Sequence, residues 1–161
     1  MQKVDYLLII NTQSPESQQV SKDDIIEQHT NPTEVGGKGW NRPGIDYLIG
    51  LDGKLETILP EQSPNVVDLW GISEGKKGMN GVAKYVAYVG GRTAKSTKAK
   101  DTRTTAQEKT LAAVVQFYVR RFPKIQVLGF SQVPAKKGEE NPSFDVAKWC
   151  EGIGIDKGNV F

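Results

Sequence analysis

Ile125-Gln126-Val127-Leu128-Gly129-Phe130-Ser131-Gln132-Val133-Pro134, continuing through Ala135-Lys136-Lys137-Gly138-Glu139-Glu140 into Asn141-Pro142-Ser143-Phe144-Asp145-Val146-Ala147-Lys148-Trp149, holds the clearest succession of backbone signals in the chain. A short apolar run stops at Gly129 and a polar loop holding Pro134 and Gly138 follows. Asn141-Pro142-Ser143 then opens an amphipathic segment whose Phe144, Val146, Ala147 and Trp149 suit a core. The spacing predicts strand, loop, helix.

Working outward, Val4 to Asn11 is a near-continuous apolar run, the pattern of a strand buried on both faces in the middle of a sheet. Ser21-Lys22-Asp23-Asp24 is a capping-box variant that opens a short helix through Ile25-Ile26-Glu27-Gln28-His29. Residues 31–44 hold too much Gly and Pro for anything but a loop. Ile45 to Ile49 and Leu55 to Leu59 flank Gly50-Leu51-Asp52-Gly53-Lys54, where Asp-Gly supplies the positive φ of a tight hairpin turn. A connection around Gln62-Ser63-Pro64 leads to a polar, Gly-rich segment from Ser73 to Gly81. Ala83 to Gly91 then alternates in a way compatible with one polar and one apolar face. Arg92 to Arg103 carries five cations against Asp101 and reads as a solvated, cleavable loop. Thr105-Ala106-Gln107-Glu108 has the form of a capping box. Leu111, Ala112, Val115, Phe117, Tyr118 and Phe122 recur behind it at helical spacing until Pro123.

These pieces in this order resemble the zinc-dependent N-acetylmuramoyl-L-alanine amidases, the family of the amidase-type phage lysozymes and of the peptidoglycan-recognition fold. The resemblance covers roughly residues 4 to 150 and rests on Gly39-Trp40, Asp52-Gly53, Gly90-Gly91, Asp101-Thr102-Arg103-Thr104 and Pro142-Ser143-Phe144-Asp145 together. It implies an α/β fold: one domain, residues 1–161, with a central mixed β-sheet and helices packed on both faces, which the apolar first strand supports independently. In that family zinc is held by a His at the end of the first strand, a His after the Gly that ends the last strand, and a Cys or Asp before Pro-Ser-Phe-Asp. The corresponding positions here carry Ile10 or Asn11, Phe130 and Asn141. The family's catalytic Tyr falls on Ile45, with Asp46 beside it, and a Lys of the lysozyme-type members falls on Glu139, with Lys136 and Lys137 a little upstream.

A catalytic zinc site needs three protein ligands and an open position for water. The chain has one His, His29, on the short helix, and one Cys, Cys150, so the resemblance implies an amidase frame from which the metal set is missing. The expected cleft lies where the first strand and the strand ending at Gly129 meet the last helix. Its candidate ligand-binding residues are Trp40, Ile45, Asp46, Asn80, Phe130, Ser131, Glu139 and Asn141, with no catalytic residue, no metal and no cofactor assigned. Trp40 either closes the core or forms a pocket wall, the first being favoured.

The chain's 161 residues, 37% of them hydrophobic, suffice for one cored domain. A formal charge of +2, from 21 basic and 19 acidic residues, gives no reason to expect nucleic acid. No apolar run approaches a membrane span, and no leader pattern precedes the first strand, so a cytoplasmic protein is expected. A lone Cys150 beside Trp149 and Ile153 reads as a packed thiol. Two functional readings follow. One is a pseudo-amidase whose cleft binds a peptidoglycan stem-peptide fragment or a protein partner. The other is a hydrolase that cleaves the muramoyl-L-alanine amide with carboxylates such as Asp46, Glu139 or Glu140 around a different metal or none. The first is preferred, because a carboxylate-only site has no identified oxyanion donor. The same fold could also persist on a protein that only binds a partner.

Overall fold

The computed structural model describes residues 3–63 and 68–161, so Pro64 in the connection after the hairpin lies outside the described residues. Among the described residues, seven strands and three α-helices follow in the order β1 (Tyr6–Asn11), β2 (Ser14–Pro15), α1 (Lys22–Thr30), β3 (Tyr47–Ile49), β4 (Leu55–Thr57), β5 (Ala83–Tyr88), β6 (Gly91–Arg92), α2 (Thr105–Arg121), β7 (Gln126–Gly129) and α3 (Val146–Gly152). The main sheet has the order β4-β3-β5-β1-β7. β1 pairs in parallel with β5 and β7, β5 with β3, and only the hairpin strand β4 runs antiparallel. β2 and β6 form a small parallel pair beyond the carboxyl ends of β1 and β5.

The central strands are buried on both faces, as their apolar sequence requires. Leu8 and Ile10 of β1 point into one core with Ile25 of α1, Leu48, Ile72, Val133 and Phe130. Leu7 and Ile9 point into the opposite core with Leu111, Val115 and Tyr118 of α2 and Val146 and Cys150 of α3. Helices therefore cover both faces of a mixed sheet, the architecture expected. The hairpin also forms as read: Gly53 takes φ +84°, and a Cβ there would lie 2.7 Å from the Ala106 carbonyl oxygen.

Several local expectations shift. β5 has no polar face: all six residues are buried, and Lys84 lies inside the protein at 1% exposure. The alternation of Lys84 with apolar neighbours marks a buried ion pair. Helix α2 is capped one residue earlier than the motif suggested: Thr104 Oγ1 accepts from Gln107 N–H at 3.0 Å, and Gln107 Oε1 accepts from Thr104 N–H at 2.9 Å. Gln107 is completely buried. Its amide nitrogen donates to the Ile49 and Val89 carbonyls, tying the helix start to the ends of the sheet strands. Phe117, expected in the core, is 53% exposed, and Val114 takes the inward position.

Helix α3 starts later than expected. Its N-cap is Asp145, whose carboxylate accepts from Lys148 N–H, while Asn141-Pro142-Ser143 is loop with a cis Asn141–Pro142 bond. The basic stretch is exposed from Lys95 to Lys98, but its end is anchored. The Arg103 side chain is 8% exposed, bonds Asp101 through Nε and a terminal nitrogen at 2.9 Å each, and lies 3.4 Å from the centroid of Phe144. This guanidinium fastens the segment before α2 to the one before α3, a contact that the local count of charges could not reveal.

Candidate functional site

Open sheets of parallel strands place ligand sites outside the carboxyl ends of the strands, and here β1, β5 and β7 end at Asn11, Tyr88 and Gly129. Gly129 is the hinge of this end. A Cβ at Gly129 would meet Pro142 Cδ and Val146 Cγ2 at 2.9 Å, so only glycine lets the 141–146 segment close over β7. Asn141 is thereby laid against the end of β1. Asn11 N–H donates to Asn141 Oδ1 at 2.7 Å, and Asn141 Nδ2 returns a bond to the Asn11 carbonyl at 3.3 Å. Asn11 Nδ2 donates to Tyr88 Oη at 3.2 Å and to Ser143 Oγ at 3.0 Å, while Asn11 Oδ1 accepts from Gln13 N–H at 3.0 Å. Tyr88 Oη in turn donates to the Pro142 carbonyl at 2.6 Å, and burial pushes its phenol up to about 12. The result is a closed network of neutral groups, each serving as the partner of another. Gly91 is needed beside it, since a Cβ there would lie 2.3 Å from Asn11 Cγ.

A polar cavity of about 270 Å³ adjoins this network, lined by Asn11, Arg92, Glu139, Glu140, Asn141 and Ser143 among others. A second cleft, of about 210 Å³, shares no lining residue with it and includes Arg42, Asp46, Asp68, Trp70, Asn80 and Tyr85. The expected single cleft is therefore divided. Asp46 and Asn80 border one part, Glu139 and Asn141 the other, and Ile10, Ile45 and Phe130 are core residues beneath. Ser131 is half-buried, and its N–H donates to the Asn141 carbonyl at 3.0 Å.

The wall of the second cleft is aromatic. Trp70 packs edge-on against Trp40 at 5.1 Å, His29 at 5.7 Å and Phe130 at 5.6 Å between ring centres, and stacks on Tyr85 at 6.0 Å. Trp70 Nε1 donates to the Gly44 carbonyl at 2.7 Å, and His29 Nδ1 accepts from Gly44 N–H at 2.9 Å. His29 is therefore an interior acceptor that holds the 40–44 loop. Burial, with Lys38 nearby, lowers its imidazole to about 4 and keeps it neutral. Trp40 is half-buried, supporting Trp70 from behind, while Lys38 Nζ stands 5.0 Å from the Trp40 ring centre.

Asp46 is not a free carboxylate. Its Oδ2 accepts from Tyr85 N–H at 2.8 Å and its Oδ1 faces Lys84 Nζ at 3.4 Å, both side chains being 3% exposed or less. Burial raises its carboxyl above the usual range, against the opposing pull of Lys84. Lys84 Nζ also donates to the Glu61 carbonyl at 3.2 Å. On the cleft rim, Asp68 caps its own turn, accepting from the Ile72 and Ser73 N–H groups.

No family model matches the chain, and no curated protein does either. Among solved structures, the Se-Met AmpD derivative superposes with a TM-score of 0.64 at 22% identity over 94% of this chain and 85% of that one. Drosophila PGRP-LB gives 0.64 at 17% identity, covering 96% and 84%. The amidase LysC from Clostridium intestinale gives 0.62 at 18%, covering 94% and 83%. The fold is that of the amidases and peptidoglycan recognition proteins.

In this amidase-like fold the positions that the resemblance assigns to zinc do not fit the ion. Ile10 and Phe130 offer no lone pair, and the amide oxygens of Asn11 and Asn141 are already accepting backbone N–H groups. Among the described residues no group of three or more His, Cys, Asp or Glu side chains is placed to hold a metal. Sequence reasoning missed Trp70, Asp68, Tyr85 and Lys84. Only Lys84 left a signal, as a charge inside an otherwise apolar strand; the others sit in irregular or alternating segments where residue type alone does not separate core from cleft.

Proposed function

We propose that this protein is a catalytically degenerate, amidase-like binding protein whose clefted face takes a peptidoglycan stem-peptide fragment. The reading rests on the closed Asn11–Asn141–Tyr88–Ser143 network standing where the amidases' metal is expected, while the separate cleft lined by Trp70 and Asn80 stays open. Mutually bonded neutral amides supply neither a Lewis acid nor a water held for attack. The aromatic wall around Trp70 and the polar rim of Arg42, Asn80 and Asp68 suit a ligand that mixes peptide and sugar. The fold has carried such ligands elsewhere: human PGRP-IBETAC was solved in complex with glycosamyl muramyl pentapeptide, and it superposes on this chain with a TM-score of 0.63 at 14% identity.

Titration of the purified protein with a muramyl pentapeptide, followed by calorimetry or amide chemical shifts, tests the proposal. Saturable binding that weakens in Asn80→Ala, without release of free stem peptide from cell wall, is expected. Absence of binding at millimolar peptide overturns the ligand, and hydrolysis of purified peptidoglycan overturns the loss of catalysis. Asp46→Ala is a poor probe, because it would strand Lys84 and report on folding. The hydrolase reading keeps one point of support, the pair Glu139 and Glu140 on the rim of the polar cavity. Activity abolished by Glu139→Gln with Glu140→Gln would favour it.

A further inference from the structure

The two edges of the sheet are treated differently. At β7 the chain's end covers the edge: Val127 bridges Val160, and Phe161 N–H donates to the Val127 carbonyl at 3.1 Å. At β4 no described strand pairs with the outer edge. The hairpin bonds Gly50 N–H to the Lys54 carbonyl and Ile58 N–H to the Asp46 carbonyl, and β4 pairs Leu48 with Glu56 and Ile49 with Leu55. In an antiparallel ladder inward-bonded pairs alternate with outward-facing ones, so the N–H and C=O groups of Leu55 and Thr57 point away from the sheet. Beside them Leu55, 41% exposed, and Phe117, 53% exposed, border an apolar groove of about 300 Å³ between β4 and α2 that also involves Ala113, Val114 and Tyr118.

We propose that this edge is a homodimer interface in which β4 pairs antiparallel with β4 of a second copy, centred on Leu55. The choice of a second copy rests on the charges. A two-fold axis through Leu55 places Lys54 of each copy opposite Glu56 of the other on one face. Leu55 then lies against Leu55 on the groove face, where the two Phe117 rings close the apolar surface. Neither Lys54 nor Glu56 forms an ion pair within the described chain. The alternative axis, through Glu56, sets like charges directly opposite and is disfavoured. A short, lysine-bearing edge is the usual protection against open-ended strand addition, and here the same lysine selects one closed partner. The inference is independent of what the clefts bind.

The test is sedimentation equilibrium or light scattering over a concentration series of the full chain. Wild type should show a concentration-dependent doubling of mass. Lys54→Glu and Glu56→Lys each turn two attractive pairs into repulsive ones and should raise the dimer Kd about tenfold or more. The double exchange Lys54→Glu with Glu56→Lys should restore wild-type association. These solvent-facing substitutions leave the core intact, and circular dichroism of each variant checks that. A monomer at all concentrations overturns the proposal, as does a dimer indifferent to both single variants or one that the double exchange fails to restore.

Discussion

Lys84→Met should destabilise the protein far more than a surface charge deletion would, because it leaves Asp46 buried without its ion-pair partner. Lys84 and Asp46 are 1% and 3% exposed and 3.4 Å apart. After the substitution the carboxylate keeps the bond from Tyr85 N–H at 2.8 Å and the weaker attraction of Arg42. Removing one member of a buried pair costs about 3–5 kcal/mol, and with a urea slope of about 2 kcal/mol/M the unfolding midpoint falls by about 2 M. Asp46 already titrates above its ordinary 3.8 through burial, with Lys84 pulling the other way, so losing Lys84 raises it further. A carboxyl raised in the native state favours folding while protonated, and that contribution is lost as pH rises through the native value. The deficit of Lys84→Met should therefore be largest at neutral pH and shrink on acidification toward pH 4. Adding Asp46→Asn keeps an acceptor for Tyr85 N–H without the charge and should recover most of the loss. Urea melts at pH 7 and pH 4.5 of wild type, the single variant and the double variant decide it. A single variant within about 0.5 M of wild type at pH 7, or a double variant no better than the single, refutes the reasoning.

Other outcomes follow from the same contacts. His29, held near 4 by burial, favours the native state only while neutral, so stability should fall by about 2 kcal/mol between pH 7 and pH 5; a His29→Gln variant that retains the whole of that slope would count against it. Thr104→Ala should cost about 1 kcal/mol through loss of the α2 cap, and Thr105→Ala much less, as read from paired thermal melts. Cys150 is buried and its thiol is pushed up to about 11, so a thiol reagent should label it slowly in native protein and fast in denaturant. Trypsin should cut first at Lys95 or Lys98, while the bond after Arg103 survives because its guanidinium is packed on Phe144; early cleavage after Arg103 would remove the anchor.

Much of the frame follows from local sequence. The apolar run ending at Asn11, the Asp52-Gly53 turn, the helix stopped at Pro123 and the Gly129 terminus each state their backbone requirement within a few residues. Their order is enough to specify a mixed sheet between helices. The absence of a family metal set is equally local, since it depends on which side chains the chain possesses. What only tertiary structure decided are the pairings across long separations. Asn11 meets Asn141 because Gly129 admits Pro142, Arg103 meets Phe144, and Lys84 of β5 meets Asp46 in the bend before β3. The caps moved by a residue or more for the same reason: Thr104, whose Oγ1 also donates to the Leu51 carbonyl at 2.9 Å, is held by the hairpin turn, which no local motif encodes. Division of the expected cleft into two also belongs to packing, because Phe130 and Ile45 gain more by entering the core than by lining a cavity.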